Sequence, residues 1–304
     1  MTLDLQPEGV QAATEWIDPV FRGTPQFVDG QLADALGLEL VVKVETLNPI
    51  GSFKARGASV LARRLDPQRT WVCHTAGNFG QAIAYAARER GAKVDVFVSP
   101  QVPQYKVTRM RALGAHVEVA ERAEQAAREH AESSDDRVLV VDGREPAMAE
   151  GAGTIGLELA EAGPFDTAVV QVGDGALISG IACWLKAVAP DTRIVGVCAS
   201  GAPAMARSFA AGRSIAVEGD GTIATAITIT EPVPEALVRV TALVDDIVLV
   251  DDDDLRRAMA LIGSSIGVLV EPAGAAGVAA LVRHGRELGA RRAAVILTGA
   301  GTLP

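Results

Sequence analysis

The sequence predicts an α/β protein of two domains, with parallel-rich sheets flanked by helices. Three observations carry the prediction. Short apolar runs alternate with roughly ten to twenty residues of helix-forming sequence almost throughout. The interior must be built from Ala, Val, Leu and Ile, because 49% of the 304 residues are apolar and only 4% aromatic, a composition that fits layered α/β better than a β-sandwich. Several of the apolar runs end on a glycine-bearing loop that opens a helix, the place where open α/β sheets bind their ligands.

Taken in order, the runs predict strands over 40–45, 71–74, 94–98, 116–119, 138–141, 168–172, 194–198, 247–250 and 294–297. Helical patterns between them include 81–90, 107–113 and 122–132, and a helix that begins near Phe53, for which Ser52 is a candidate cap. The run Asp251–Asp254 precedes LRRAMALI, another helix pattern. Acids there satisfy free N–H groups and the helix dipole, so they read as a helix start and not as a metal site.

The charge balance is 28 basic against 38 acidic residues, with no basic run. Nucleic acid and anionic membranes are poor partners for such a chain. An anionic ligand would have to be held locally, by backbone N–H groups and a few placed cations. The three cysteines, Cys73, Cys183 and Cys198, are widely spaced in apolar stretches and read as reduced, packed thiols. The start MTLDLQPEGVQ has no signal-peptide pattern, so a cytoplasmic protein is expected. The long apolar stretch 261–282 is broken by Glu271 and Pro272 and is not a membrane span. The four histidines show neither metal-ligand spacing nor a readable triad.

Four loops hold the candidate chemistry. In NPIGSFKARGA, residues 48–58, Lys54 lies in a first helical turn, where the dipole disfavours an ammonium. It is either a lysine that reaches water or an amine kept neutral and nucleophilic. In HTAGNFGQ, 74–81, a strand ends in a glycine turn whose N–H groups suit a carboxylate or phosphate, and Asn78 offers both a donor and an acceptor. In VGDGALISG, 172–180, Gly173 and Gly175 permit close approach of an anion to a helix N-terminus. Ile178 stands where a dinucleotide fingerprint needs its third glycine, and no P-loop lysine is present. In LTGAG, 297–301, Thr298 would face the same crevice. Each loop taken singly is also what an ordinary turn looks like.

Together and in this order, the loops resemble those of the fold-type II pyridoxal-phosphate enzymes, and most of all the threonine/serine dehydratases. KVETLNPIGSFKARGA resembles their lysine motif, TAGNFGQAIAYAAR their asparagine loop, and EPAGAAG with VDDIVLVDDDDLRRAM their C-terminal half. The resemblance covers roughly residues 20–304. It implies a tryptophan synthase β-like architecture, with a large cofactor-binding domain (1–54 and 145–304) and a small inserted domain (55–144). The cofactor, pyridoxal 5'-phosphate, would lie between them. Lys54 would form the Schiff base, beside Phe53. Asn78 would bond the ring hydroxyl. Backbone groups of Gly173, Asp174, Gly175, Ala176 and Leu177 would hold the phosphate, and Thr298 would face the pyridine nitrogen. Thr75, Ala76, Gly77 and Asn78 would bind the substrate carboxylate.

The implied reaction is β-elimination from L-threonine or L-serine, an ammonia-lyase activity giving a 2-oxo acid and ammonia. Lys54 would take the Cα proton, and the cofactor phosphate would protonate the departing hydroxyl. The rivals are β-replacement of the cysteine-synthase kind, a nucleotide-binding oxidoreductase using the glycine loop, and a binding protein without activity. A homodimer is implied, and no C-terminal regulatory domain is expected after 304.

Several positions depart from the pattern. Ala76 stands where racemases of the family carry a serine, which speaks against racemisation unless Thr75 substitutes. Asp174 and Ala176 replace two glycines of the usual loop, and the Asp174 side chain is expected to point away from the phosphate. Cys198 and Ala204 stand where racemase-like members bind a cation, so no metal is expected there. Thr225–Ala226–Ile227–Thr228–Ile229 replaces a common Asp–Gly–Ile–Ala–Val, and Phe79 a common histidine.

Overall fold

The computed structural model describes residues 3–218 and 221–301. Its strands are β1 (Gln26–Val28), β2 (Glu39–Val44), β3 (Thr70–Thr75), β4 (Val94–Val98), β5 (His116–Val119), β6 (Arg137–Leu139), β7 (Thr167–Gln171), β8 (Arg193–Ala199), β9 (Asp246–Val250) and β10 (Arg292–Leu297). They form a six-stranded sheet, β1-β2-β10-β7-β8-β9, and a four-stranded sheet, β5-β4-β3-β6. Every pairing is parallel except β1 with β2. All four strands of the smaller sheet fall within residues 70–139.

The nine strands expected from the sequence are present. The tenth, β1, escaped the reading because it is three residues at a sheet edge, mostly exposed, with no periodicity to find. The central strands of the large sheet, β10, β7 and β8, are largely apolar because both faces are covered. Leu40, Val42, Val44, Val195, Val197, Val295 and Leu297 pack one way, with Leu255, Ile262, Val278 and Leu281. Val41, Ala168, Val170, Val172, Ala294 and Ile296 pack the other way, with Ile155, Leu159, Ile178, Ile181 and Leu185. Each fully buried Val, Leu or Ile among them contributes about 1.5–3 kcal/mol of transfer free energy.

Helix starts moved by a few residues. The helix expected over 81–90 is Asn78–Arg90, since Gly77, at φ +138°, turns the chain three residues earlier. Ser52 is a poor cap: its Oγ lies 3.4 Å from the Lys54 N–H, and Phe53 holds the cap position of the helix Lys54–Arg64. The aspartate run is a helix start, as expected. Asp251 and Asp254 form a reciprocal capping box, while Asp252 accepts from Thr222 and from the Ile223 N–H. All three cysteines are buried free thiols, and burial pushes Cys73 and Cys198 up to about 12.

The helices Pro146–Ala160 and Ala176–Val188 cross backbone to backbone at Gly180. A Cβ on Gly180 would overlap the Ala149 carbonyl oxygen and the Gly153 nitrogen. Gly180→Ala is therefore expected to cost about 3 kcal/mol or more of stability, read as a lower urea midpoint with an unchanged m-value. An unchanged midpoint would show that the crossing can relax.

Candidate active site

The loops after β2, β3, β6, β7 and β10 meet in one cavity of about 350 Å³. All twelve residues singled out from the sequence line it: Phe53, Lys54, Thr75, Ala76, Gly77, Asn78, Gly173, Asp174, Gly175, Ala176, Leu177 and Thr298. Their convergence has a backbone cause. Phe53 N–H donates to the Thr298 carbonyl at 3.1 Å, and Ala300 N–H donates to the Gly51 carbonyl at 2.8 Å. The lysine segment is thus laced to the loop that carries Thr298.

Lys54 lies 4.9 Å above the Phe53 ring and is ion-paired with Asp142. Burial pulls its amine toward neutrality, but Asp142, Asp174 and Glu271 together hold its pKa above the usual lysine value. These carboxylates outweigh the effect of the helix dipole. Asp142 itself is pushed up to about 6 by burial and by its neighbour Asp174, against the pull of Lys54. The Asp174 carboxyl turns toward Asp142 and the Gly143 turn.

The glycine loop fits a phosphate. Gly175, at φ +91°, precedes the helix Ala176–Val188, and no side chain caps that helix. Its first N–H groups are open to a ligand. On the far side, a Cβ on Gly173 would come within 2.9 Å of Ile227 Cα. The substituted segment Thr225–Ile229 is therefore a wall of the cavity, and its first three residues form a 3-10 turn.

Thr298 is oriented by a residue the sequence reading missed. Gln171 Nε2 donates to the carbonyls of Ala273 and Ile296, each at 3.0 Å, which fixes the flip of its amide. The Thr298 hydroxyl lies 2.8 Å from the same nitrogen, whose two protons are shared among three acceptors and which cannot itself accept. Its own proton is left to donate elsewhere. That suits a pyridine nitrogen that carries no proton.

The asparagine loop is built around polar locks. Thr75 Oγ1 accepts from the N–H groups of Gly77 and Gly80, at 2.8 and 3.2 Å. Asn78 Nδ2 donates to Glu271 at 2.7 Å, which leaves its second proton for a ligand. Glu271 is also paired with Lys106 at 2.9 Å, and the Lys106 stem lies across Gly77, where no side chain would fit. Burial pushes His74 down, so it is neutral at pH 7. Phe79 is buried beneath the loop.

Asp142, Gln171, Glu271 and Lys106 were not foreseen as site residues. Glu271 sits inside the quoted motif EPAGAAG, and Asp142 just beyond the C-terminal end of a strand, where ligands are sought. Those were the available signals. Cys198 points its thiol at the Val172 carbonyl, 3.6 Å away, inside the sheet.

Comparison with known proteins places the chain in a family. The family model described as "Pyridoxal-phosphate dependent enzyme" matches residues 17–299. L-threonine ammonia-lyase from Thermotoga maritima is 31% identical over 300 residues, covering 96% of this chain and 74% of that protein. Serine racemase from Oryza sativa subsp. indica is 32% identical, covering 89% of this chain and 82% of that protein. The crystal structure of a T.th. threonine deaminase superposes with a TM-score of 0.91 at 32% identity, covering 98% of this chain and 99% of the other. The chain belongs to the pyridoxal-phosphate-dependent enzymes of fold type II.

Proposed function

We propose that this enzyme performs β-elimination on a hydroxy amino acid, L-threonine or L-serine, yielding a 2-oxo acid and ammonia. The observation that carries the reading is Thr298: a neutral hydroxyl, held by Gln171 as a donor, faces the cavity that Lys54 enters. In this reading Lys54 anchors the cofactor, the open N–H groups of 173–177 hold its phosphate, and Asn78 and Thr298 bond its ring. When bound, the cofactor supplies an electron sink for the charge left at Cα. With a neutral hydroxyl and no acid at the ring nitrogen, that sink is moderate, which favours prompt loss of a β-substituent over a long-lived carbanion.

The protein's part is positional and protonic. The N–H groups of the 75–78 loop hold the substrate carboxylate. Lys54 Nζ, released as a neutral amine, takes the Cα proton and becomes the ammonium that pairs with Asp142. Racemisation is disfavoured in this reading because Ala76 has no proton to exchange. Thr75 accepts from two backbone N–H groups and keeps its own proton, so it is the group that a test for residual racemisation would address. The same reading takes 55–144 as a small domain closing the cavity against 1–54 and 145–304.

The test is product analysis of the cofactor-loaded protein. L-threonine or L-serine is expected to give 2-oxobutanoate or pyruvate with ammonia. Cysteine formed from O-acetylserine and sulfide, without 2-oxo acid from either hydroxy amino acid, would establish β-replacement instead.

A further inference from the structure

Five carboxylates line the cavity, and three of them have donors of their own. Glu124 pairs with Arg128, Glu231 accepts from Ser214, and Glu271 is held by Lys106 and Asn78. Asp142 and Asp174 are instead brought face to face. The turn after Asp142 packs so closely on the glycine loop that a Cβ on Gly143 would lie 2.7 Å from the Asp174 carbonyl oxygen. Buried Arg239 pins that turn by donating to the carbonyls of Gly143 and Arg144, at 3.0 and 2.9 Å. Asp142 is only 8% exposed. Its Oδ2 takes the Lys54 ion pair, while its Oδ1 has no hydrogen-bond partner among the described residues.

Two ionised carboxylates in contact repel, and a buried carboxylate oxygen without a donor is costly. One proton shared between Asp142 and Asp174 removes both costs and gives the orphaned oxygen a use. The raised position of Asp142 agrees with this, and Lys54 as a cation is what pulls it back down. As a base, Lys54 must be a neutral amine. At that moment the pull is gone, and the carboxyl pair holds its proton more firmly, in the cavity where the β-hydroxyl has to leave.

We propose that Asp142 and Asp174 share one proton and that Asp142 delivers it to the departing β-hydroxyl, so that the acid of the elimination is a carboxyl pair of the protein and not the cofactor phosphate. The proposal rests on the elimination reading above and deepens it. Atoms and charge balance. Lys54 Nζ takes the Cα proton, and the C–H electron pair becomes the Cα–Cβ double bond. The Cβ–O bond breaks with its pair going to oxygen, which takes the proton of Asp142 and leaves as water. Lys54 gains one positive charge as the carboxyl pair gains one negative charge, so the net charge of the cavity is unchanged. The contact between Lys54 and Asp142 is then the return path. Nζ hands the proton taken from Cα to the carboxyl pair, which resets the base and the acid together.

Cofactor-loaded wild type and Asp142→Asn are compared by initial rates on L-serine or L-threonine, whichever turns over faster, and on 3-chloro-L-alanine, whose chloride departs without a proton. The kcat for the hydroxy amino acid is expected to fall about 100-fold or more beyond any fall in kcat for 3-chloro-L-alanine. Both substrates need Lys54 as base, so a variant that merely misplaces Lys54 lowers the two rates together. Equal losses, or no loss, overturn the proposal and leave the elimination reading standing. A second readout needs no turnover. Infrared spectra of the loaded wild type should show a protonated-carboxyl stretch, shifted in heavy water, that Asp142→Asn removes and Asp174→Asn shifts. The lack of such a band, or a band that Asp142→Asn leaves untouched, overturns the shared proton. A wild type that makes no 2-oxo acid from serine or threonine would remove the elimination reading, and this inference with it.

Discussion

Lys54→Ala is expected to lower turnover of the hydroxy amino acid by about 10⁴-fold or more, with the fold retained. The side chain removed makes one ion pair, to Asp142, and one ring contact, to Phe53. The helix it begins is anchored two residues later by Arg56 and does not need it. Borohydride reduction of the wild-type holoenzyme should fix the cofactor to Lys54, and the variant should retain none after reduction and dialysis. Label on another lysine, or turnover that survives the substitution, would remove Lys54 from its role. The variant also strands Asp142, whose carboxyl should then be protonated over a wider pH range, since burial and Asp174 act on it unopposed.

Arg56→Met should leave the chemistry residues in place and strike the scaffold. The guanidinium is fully buried. It makes a two-pronged bond to Glu45 at 2.8 and 2.9 Å, another to Glu158 at 2.6 and 2.9 Å, and bonds to Thr154 and Thr24. Lys43 also pairs with Glu158, at 2.5 Å. Removing the arginine leaves Glu45 without a cation, at an expected cost of about 3–5 kcal/mol. The pH dependence supplies a second check. Burial would raise Glu158, but Arg56 and Lys43 hold it at about 2, below its ordinary 4.5. The stability this gives is present above pH 4.5 and is lost as pH falls toward 2. The gap between wild type and variant in urea midpoint should therefore be wide at neutral pH and narrow as the pH falls through that window. A constant gap, or none at neutral pH, would contradict the account.

The two expected outcomes would divide NPIGSFKARGA into an amine proposed to react and an arginine that braces. The sequence alone treated them as neighbours. The central strands were legible because burial on both faces leaves largely apolar runs, and β1 was not because it has neither burial nor length. The site loops were legible because four glycine-bearing turns occur together and in family order, although each alone reads as an ordinary turn. What could not be read was long-range pairing. Asn78 and Glu271 are 193 residues apart, and Lys54 and Asp142 are 88 apart. The charge setting of Lys54 was hidden for the same reason: a helix dipole is a local argument, and the carboxylates that outweigh it come from other loops. Asp142 in VVDGRE reads as an ordinary turn acid until the fold brings it to the amine.

The place of β10 has a consequence for biosynthesis. It is the last strand in the sequence, yet it lies between β2 and β7 in the large sheet, and the loop after it carries Thr298 and the backbone bonds to Gly51 and Phe53. While the chain is being made, the sheet has a gap at its middle until that strand leaves the ribosome. Lys54 has by then long been translated but stands beside no finished pocket. The cofactor pocket is therefore complete only after β10 has joined the sheet, which puts its assembly late in folding.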